Sequence, residues 1–242
     1  MSGLKHALFL VGEAEYRSQE SMPLFAEKFR AKYGWKVTVC PTDIIEDGAE
    51  SYEFTGFEST EGVDVIVIFT RFRRLCKRQM KLLLDYIDRG GAVAGFRTST
   101  HSFAFPEGGE YAGWNDGFGE KLFGTPWCYH NGHSSTTDIR VIPEKKAHPI
   151  LEGVEESFHV RSFLYGVLPL PESCDWLLMG HALESELPAS DAFLRRDMPV
   201  AWTNTYKGGR VFYTSGGHED DFGCLSFANL AMNGIRWAGG EI

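Results

Sequence analysis

Residues 210–222 of the chain read RVFYTSGGHEDDF, and this stretch decides the fold. Its first residues are mostly β-branched or aromatic and predict a strand over Arg210–Thr214. The pair of glycines that follows ends this strand. A helix is predicted from about residue 221 to residue 237, because apolar side chains recur there at helical spacing. A strand, a glycine turn, a polar cluster and a helix in this order are typical of open α/β sheets, which place their chemistry at the carboxyl ends of the strands.

The same strand and helix patterns alternate earlier in the chain. Strands are predicted at His6–Val11, Lys36–Cys40, Asp64–Phe69 and Ala92–Phe96, and helices at residues 22–33 and 76–87. Strands predominate later, at Thr137–Ile142, Phe158–Phe163, Trp176–Gly180 and Val200–Thr203. We therefore predict one α/β domain over residues 1–242. It has a doubly wound, mostly parallel sheet with helices on both faces and a strand-rich, antiparallel extension.

The composition argues against several classes of partner. The chain of 242 residues carries a formal net charge of −9, which disfavours nucleic acid and anionic membranes as partners. Its apolar runs are shorter than the roughly 18–20 residues that a membrane helix needs. Five scattered cysteines without CxxC spacing predict reduced thiols in a cytoplasmic protein. No dinucleotide or Walker-type glycine motif follows a predicted strand, so a bound nucleotide is not expected.

Polar and titratable residues follow four of the predicted strands. Loops at the carboxyl ends of a doubly wound sheet meet in one crevice, so we expect these residues to share a site. They are Glu13, Glu15 and Tyr16 after the first strand, Arg71 after the third, Arg97, Ser99 and His101 after the fourth, and His218, Glu219 and Asp220 after the last.

Side-chain chemistry assigns roles to these candidates. His218 is the predicted general acid/base, because imidazole titrates near neutral pH, and Glu219 or Asp220 would orient it. Arg97 would stabilise negative charge on oxygen, or it would fasten the loops through an ion pair with Glu13 or Glu219. A plainer alternative is that Asp220 or Asp221 caps the helix and His218 is solvated. His101 is the further catalytic candidate, and the predicted substrate-binding residues are Glu13, Glu15, Tyr16, Arg71, Ser99, Trp127, His130 and Asp220.

Residues 98–136 interrupt the strand and helix rhythm with glycines and aromatic rings. A connection of this length in a domain is usually functional. Flat rings such as Trp127 suit the C–H faces of sugars; the alternative is a lid whose aromatic residues pack on one another. Cys128, His130 and His133 have a spacing that could hold zinc, although histidines in a loop also serve as hydrogen-bonding groups. No other cofactor is expected.

Several motifs taken together resemble the ThuA-like (trehalose utilisation) proteins. They are GEAEYRSQE, GGAVAGFRTSTHSF, AHPILEGV, FLYGVLPLP, RVFYTSGGHEDDF and NLAMNGIRWA, in this order. The resemblance implies a flavodoxin-like fold related to class I glutamine amidotransferases and a link to carbohydrate metabolism. At the turn where amidotransferases carry their cysteine, this chain has Arg97-Thr98, so glutamine hydrolysis through a thiolate is not expected. His218 with Glu219 or Asp220 falls where those enzymes keep their histidine and acidic partner.

The sequence favours an enzyme that acts on a sugar or keto-sugar derivative by general acid/base chemistry. Hydrolysis, isomerisation and elimination all use such chemistry, so the reaction type stays open at this point. The alternatives are a non-catalytic carbohydrate-binding or sensing protein and a zinc-dependent hydrolase. The expected partner is a small carbohydrate, and exposed aromatic residues in the long loop are compatible with a homodimer.

Overall fold

The computed structural model describes residues 3–42, 52–188 and 195–242, and it confirms the predicted α/β class. Within these residues the main sheet has nine strands. In spatial order they are β2 (Lys36–Pro41), β1 (His6–Gly12), β3 (Val65–Thr70), β4 (Ala92–Phe96), β11 (Gly209–Thr214), β10 (Asp197–Tyr206), β9 (Asp175–Leu183), β6 (Thr136–Val141) and β7 (Ser157–Val160). Two short strands, β5 (Tyr129–His130) and β8 (Tyr165–Gly166), pair separately.

The first half of this sheet is parallel and buried. Strands β1, β3 and β4 are buried along their whole length, as central parallel strands covered on both faces are. Helix α1 (Ser18–Tyr33) and helix α2 (Lys77–Asp88) connect strands in opposite directions, so right-handed crossovers place them on opposite faces. Helix α4 (Leu225–Ala238) shares the face of α1, since the two helices line one groove. The segments after β1, β3, β4 and β11 therefore leave the sheet at one edge.

The second half of the sheet is the antiparallel extension that the sequence predicts. Strand β10 pairs antiparallel with β11 and β9, and β6 and β7 complete the sheet. The strand predicted at Phe158–Phe163 ends at Val160. The last helix begins at Leu225 instead of residue 221, because residues 219–223 form a 3₁₀ turn. Among the described residues, no helix combines the length and the apolar character that crossing a membrane requires.

Most aromatic rings of residues 98–136 pack within the protein. This segment contains a 3₁₀ turn (Arg97–His101), helix α3 (Trp114–Phe118) and a π-helical turn (Gly119–Phe123). The indole N–H of Trp202 on β10 donates to the carbonyl of Phe123 at 2.8 Å, which fastens the segment to the sheet. Most aromatic rings of this segment thus pack inside the protein, as the alternative of a self-packed lid predicts. Trp127, which is 41% exposed, is the exception.

Candidate functional site

Arg97 lies beneath three aromatic rings that form the floor of the site. It follows β4 with a φ of 45°, in the left-handed region. Its guanidinium carbon is 4.1 Å from the ring centroid of Tyr16, 4.2 Å from that of Phe163 and 4.6 Å from that of Tyr165. We call these three rings the aromatic floor. A cation is attracted to aromatic faces, and this attraction is stronger where water is excluded.

Backbone groups hold Arg97 in this position. Its Nη1 donates to the carbonyls of Phe163 (3.2 Å) and Ser215 (2.8 Å). The hydroxyl of Tyr213 donates to the Arg97 carbonyl at 2.6 Å. The residue is completely buried, so it supports the floor from below and does not face the open side. Arg97 pairs with neither Glu13 nor Glu219, and its two hydrogen bonds go to main-chain carbonyls, while its Nε and Nη2 are buried without a hydrogen-bond partner among the described residues. Direct stabilisation of an oxyanion by Arg97 stays a prediction.

Glu13 is also buried and shapes the turn after β1. Both carboxyl oxygens accept the backbone N–H of Tyr16, at 2.9 and 3.0 Å. Burial raises the pKa of this carboxyl to about 7. Since Glu13 is fully buried, it positions Tyr16 instead of binding substrate, which corrects its predicted role.

We expect the burial of Glu13 to make stability depend on pH. A carboxyl with a raised pKa in the folded state stabilises the protein below its ordinary pKa, and this contribution is lost as the pH rises to about 7. The free energy of unfolding should fall by about 3 kcal/mol over this range, since each unit of pKa shift corresponds to about 1.4 kcal/mol. Urea unfolding measured across that pH range gives the free energy of unfolding at each pH. Glu13→Gln should remove its decrease with rising pH, whereas Glu107→Gln, at an exposed position, should keep it. Parallel pH profiles for Glu13→Gln and wild type would contradict this account.

Glu15 and Arg71 form the charged part of the rim above the floor. The hydroxyl of Tyr16 donates to Glu15 Oε1 at 2.9 Å, and Arg71 Nη1 lies 3.0 Å from Glu15 Oε2. His133 Nδ1 is 3.8 Å from Oε1 of the same carboxylate. The side chains of Glu15 and Arg71 are 26% and 27% exposed, so both reach the open side of the site.

His130 and His133 form a second part of the rim. Their ring centroids are 4.7 Å apart, and both rings pack on Phe163, at 4.8 and 5.0 Å. Nδ1 of His130 accepts the backbone N–H of Gly132 at 3.0 Å, and burial lowers the pKa of this imidazole. Its neutral form therefore carries the proton on Nε2.

The zinc ligand set suggested by the sequence does not assemble. Cys128 is exposed, and its Sγ lies 3.7 Å from the carbonyl of Pro126. Within the described ranges, no three His, Cys, Asp or Glu side chains come together closely enough to hold a metal ion. Among the described residues, His130 and His133 lie together without a third ligand beside them.

His101 and Trp127 close the side of the rim that the long connection supplies. Their ring centroids are 5.7 Å apart, and that of Tyr165 is 6.4 Å from that of His101. Burial, with Arg71 and Arg97 adding to the effect, lowers the pKa of His101 to about 3, so its imidazole is neutral at physiological pH.

Ser99 plays a different part from the one predicted. Its hydroxyl lies 2.6 Å from the carbonyl of Ile68 and 2.7 Å from that of Phe96, and the residue is fully buried. A hydroxyl engaged in this way ties the turn to β3 and β4. It does not bind substrate.

His218 stands at the remaining side of the rim, with its ring 6.2 Å from that of Tyr16. Its Nδ1 accepts the backbone N–H of Asp220 at 3.2 Å, while the Asp220 carboxylate, 71% exposed, lies 3.5 Å from the same nitrogen. Glu219 pairs with Arg17 at 3.0 Å, so it is not the group that orients His218. A neutral His218 thus carries its proton on Nε2, and that N–H is a donor, not a base.

Asp221 builds the turn that carries His218. It is buried, and its Oδ2 accepts the backbone N–H groups of Gly217 (2.9 Å) and His218 (3.1 Å) and the hydroxyl of Ser162 (2.5 Å). Of the two aspartates considered as caps, Asp221 is the one that satisfies these N–H groups. The backbone N–H of Gly217 also donates to Ser162 at 3.1 Å.

Glu13, Arg97 and His218, which the sequence predicts to meet, all gather around Tyr16. Glu13 accepts the backbone N–H of Tyr16, Arg97 lies under the Tyr16 ring, and His218 packs on the edge of that ring. Sequence reasoning missed Phe163 and Tyr165, although both lie in the quoted motif FLYGVLPLP. Their aromatic character was the only signal in the sequence, because Phe163 follows β7 and Tyr165 lies on β8, and neither is at the carboxyl end of a predicted parallel strand.

A family model described as trehalose utilisation matches residues 6–238 of this chain. The chain belongs to the ThuA family. This confirms the resemblance drawn from the motifs, and it gives the protein a carbohydrate-related role. No curated protein matches the chain.

Solved structures share the fold of this ThuA-family chain at low sequence identity. A ThuA-like protein from Parabacteroides merdae ATCC 43184 has a TM-score of 0.68 at 14% identity, over 98% of this chain and 91% of that one. Agd3, a carbohydrate deacetylase, has a TM-score of 0.54 at 12% identity, over 96% of this chain and 32% of Agd3. The glutaminase domain of Trypanosoma brucei CTPS has a TM-score of 0.51 at 10% identity, over 98% of this chain and 95% of that domain. These likenesses establish the fold alone.

Proposed function

We propose that this ThuA-family protein is an enzyme that acts on a sugar or keto-sugar derivative by acid/base chemistry above the aromatic floor. One observation carries the proposal: imidazoles, the carboxylate of Glu15 and the exposed ring of Trp127 surround a floor of three aromatic rings. The ring of Trp127, which is 41% exposed, offers an apolar face to the C–H patches of a sugar, and the polar rim meets its hydroxyl groups. The three floor rings are buried and support the rim from beneath.

His130 and His218 supply N–H groups to substrate oxygens. Each ring uses Nδ1 to accept a backbone N–H, so its Nε2 carries the hydrogen. A neutral imidazole that donates from Nε2 polarises a carbonyl or a leaving oxygen without bringing a full charge into the site. In this proposal the imidazoles take over the role that the sequence assigned to Arg97.

Glu15 accepts the proton that the substrate loses. The Tyr16 hydroxyl donates to this carboxylate at 2.9 Å and Arg71 lies 3.0 Å from it, so both contacts hold Glu15 at the rim. At a keto sugar, the proton on the carbon next to the carbonyl would pass to Glu15. The electron pair of the C–H bond would form a C=C bond to the carbonyl carbon, and the π pair of the carbonyl would move onto its oxygen, which an imidazole N–H holds.

Proton NMR in D₂O tests this proposal with D-fructose, D-glucose and trehalose as probes. Exchange of carbon-bound hydrogen reports proton abstraction, and release of D-glucose from trehalose reports hydrolysis. We expect turnover by the wild type and a loss of roughly 100-fold in Glu15→Gln and in His218→Gln, the lower end of typical acid/base contributions.

His159→Gln is the matched control, because His159 also lies beside a carboxylate, 2.8 Å from Asp138, but on the extension. Its turnover should equal that of the wild type. Equal rates in all variants would refute the assignment of the site. Saturable ligand shifts without any turnover would instead favour a non-catalytic carbohydrate-binding protein.

A further inference from the structure

A groove of about 700 Å³ runs between α1 and α4. Four large hydrophobic side chains are exposed within the described parts of the chain, and two of them, Leu24 and Leu225, line this groove. Leu24 is 68% exposed and Leu225 is 75% exposed. Two leucines that share one groove form an apolar patch, and removing such a patch from water is favourable.

Charges of opposite sign lie at the two ends of this groove. Glu20, Leu24 and Lys28 follow one another at four-residue spacing on α1, so they form one stripe along the helix. Glu219 and Asp220 join Glu20 at the first end, where Arg17 is the one lining cation against three carboxylates.

The other end of the groove is basic. Lys28 and Lys32 line it, and Lys32 Nζ donates to the amide oxygen of Asn229 at 3.3 Å. The groove therefore passes from an acidic end through an apolar middle to a basic end.

We propose that a second copy of this chain occupies the groove in a two-fold symmetric dimer. An isologous interface brings the same patch of both copies together, so the patch has to complement itself. With the axis at Leu24, two antiparallel α1 helices place each residue opposite the one equally far from Leu24 in the other direction. Glu20 of one copy then meets Lys28 of the other, and this contact occurs twice.

The order of charges is what favours a second copy over other occupants. A partner of one charge sign would be complemented by one end of the groove and repelled by the other. A purely apolar ligand would use the middle alone. The reversed copy meets acidic with basic at both ends and covers the leucines of both chains. This surface also replaces the one suggested by the long loop, whose aromatic rings are mostly buried.

Sedimentation velocity over a concentration series measures the predicted dimer. We expect the wild type to move from monomer to dimer as its concentration rises. Leu24→Asp should abolish the dimer, and Lys28→Glu and Glu20→Lys should each raise the dimer dissociation constant at least about tenfold, because each places like charges opposite each other twice. Lys36→Glu, the same charge change at an exposed position on β2, should leave it unchanged.

Mixing the two charge variants gives the decisive result. A Lys28→Glu chain and a Glu20→Lys chain form opposite-charge pairs at both contacts, so the mixture should dimerise at least about tenfold more tightly than either variant alone. Circular dichroism melting of each variant controls for folding. A wild type that remains monomeric throughout, or a dimer that Leu24→Asp and the charge reversals do not weaken, would overturn the proposal.

Discussion

Arg97→Ala is expected to lower the free energy of unfolding by about 3–5 kcal/mol, the range seen for large truncations in protein interiors. The guanidinium fills the space between three rings, and its removal leaves a cavity under the floor. The carbonyls of Phe163 and Ser215 also lose their donor. Urea unfolding monitored by tryptophan fluorescence and by circular dichroism measures the change.

Arg210→Ala is the matched control for this prediction. Arg210 also lies over an aromatic ring, 5.0 Å from that of Trp237, and also donates to two carbonyls, but it is exposed. Water competes for the same contacts there, so we expect a loss of less than about 1 kcal/mol. If Arg97→Ala costs no more than Arg210→Ala, burial under the aromatic floor does not strengthen these contacts and our account of the floor fails.

Gly119→Ala is expected to destabilise the protein by about 3 kcal/mol or more, at the upper end of overpacking effects. A Cβ atom at this position would lie 2.3 Å from the carbonyl oxygen of Thr100 and 2.6 Å from that of Thr125. Both neighbours are backbone atoms, so no side chain can move aside to make room. The turn that carries His101 would have to shift, and we expect the imidazole NMR signals of His101 to move with it.

Gly113→Ala provides the comparison within the same segment. No atom lies within 4 Å of the Cβ that alanine would add, and the backbone has a φ of −65°. Its effect should stay within about 0.5 kcal/mol of the wild type, as for surface substitutions that break no contact. A Gly119→Ala protein as stable as Gly113→Ala would show that the segment adjusts freely, contrary to the close packing described.

Local patterns were sufficient to predict most of the sheet. Strands β1, β3 and β4 are continuous apolar runs because both of their faces are covered, and such runs are recognisable without knowledge of their neighbours. The start of α4 could not be placed in the same way. Whether residues 219–223 continue a helix depends on Asp221, whose carboxylate bonds to Ser162 in a distant segment.

The candidate site shows the same division between local and long-range information. The sequence predicted that Tyr16, Arg97 and His218 lie at one edge of the sheet, because the carboxyl ends of parallel strands lie at the same edge. It could not show that Arg97 points beneath the floor, since Phe163 contributes a ring and a carbonyl from 66 residues further along the chain. The proton position on His218 was equally out of reach, because a backbone N–H decides it.

By itself, the sequence determined the strands, the order of the helices and the sheet edge at which polar groups collect, because these depend on spacing along the chain. The tertiary structure decided which of those groups are exposed and which are buried. Glu13, Arg97 and Ser99 became internal supports because their partners there are backbone groups or aromatic rings. Glu15, His130 and His218 are partly exposed and lie on the open side.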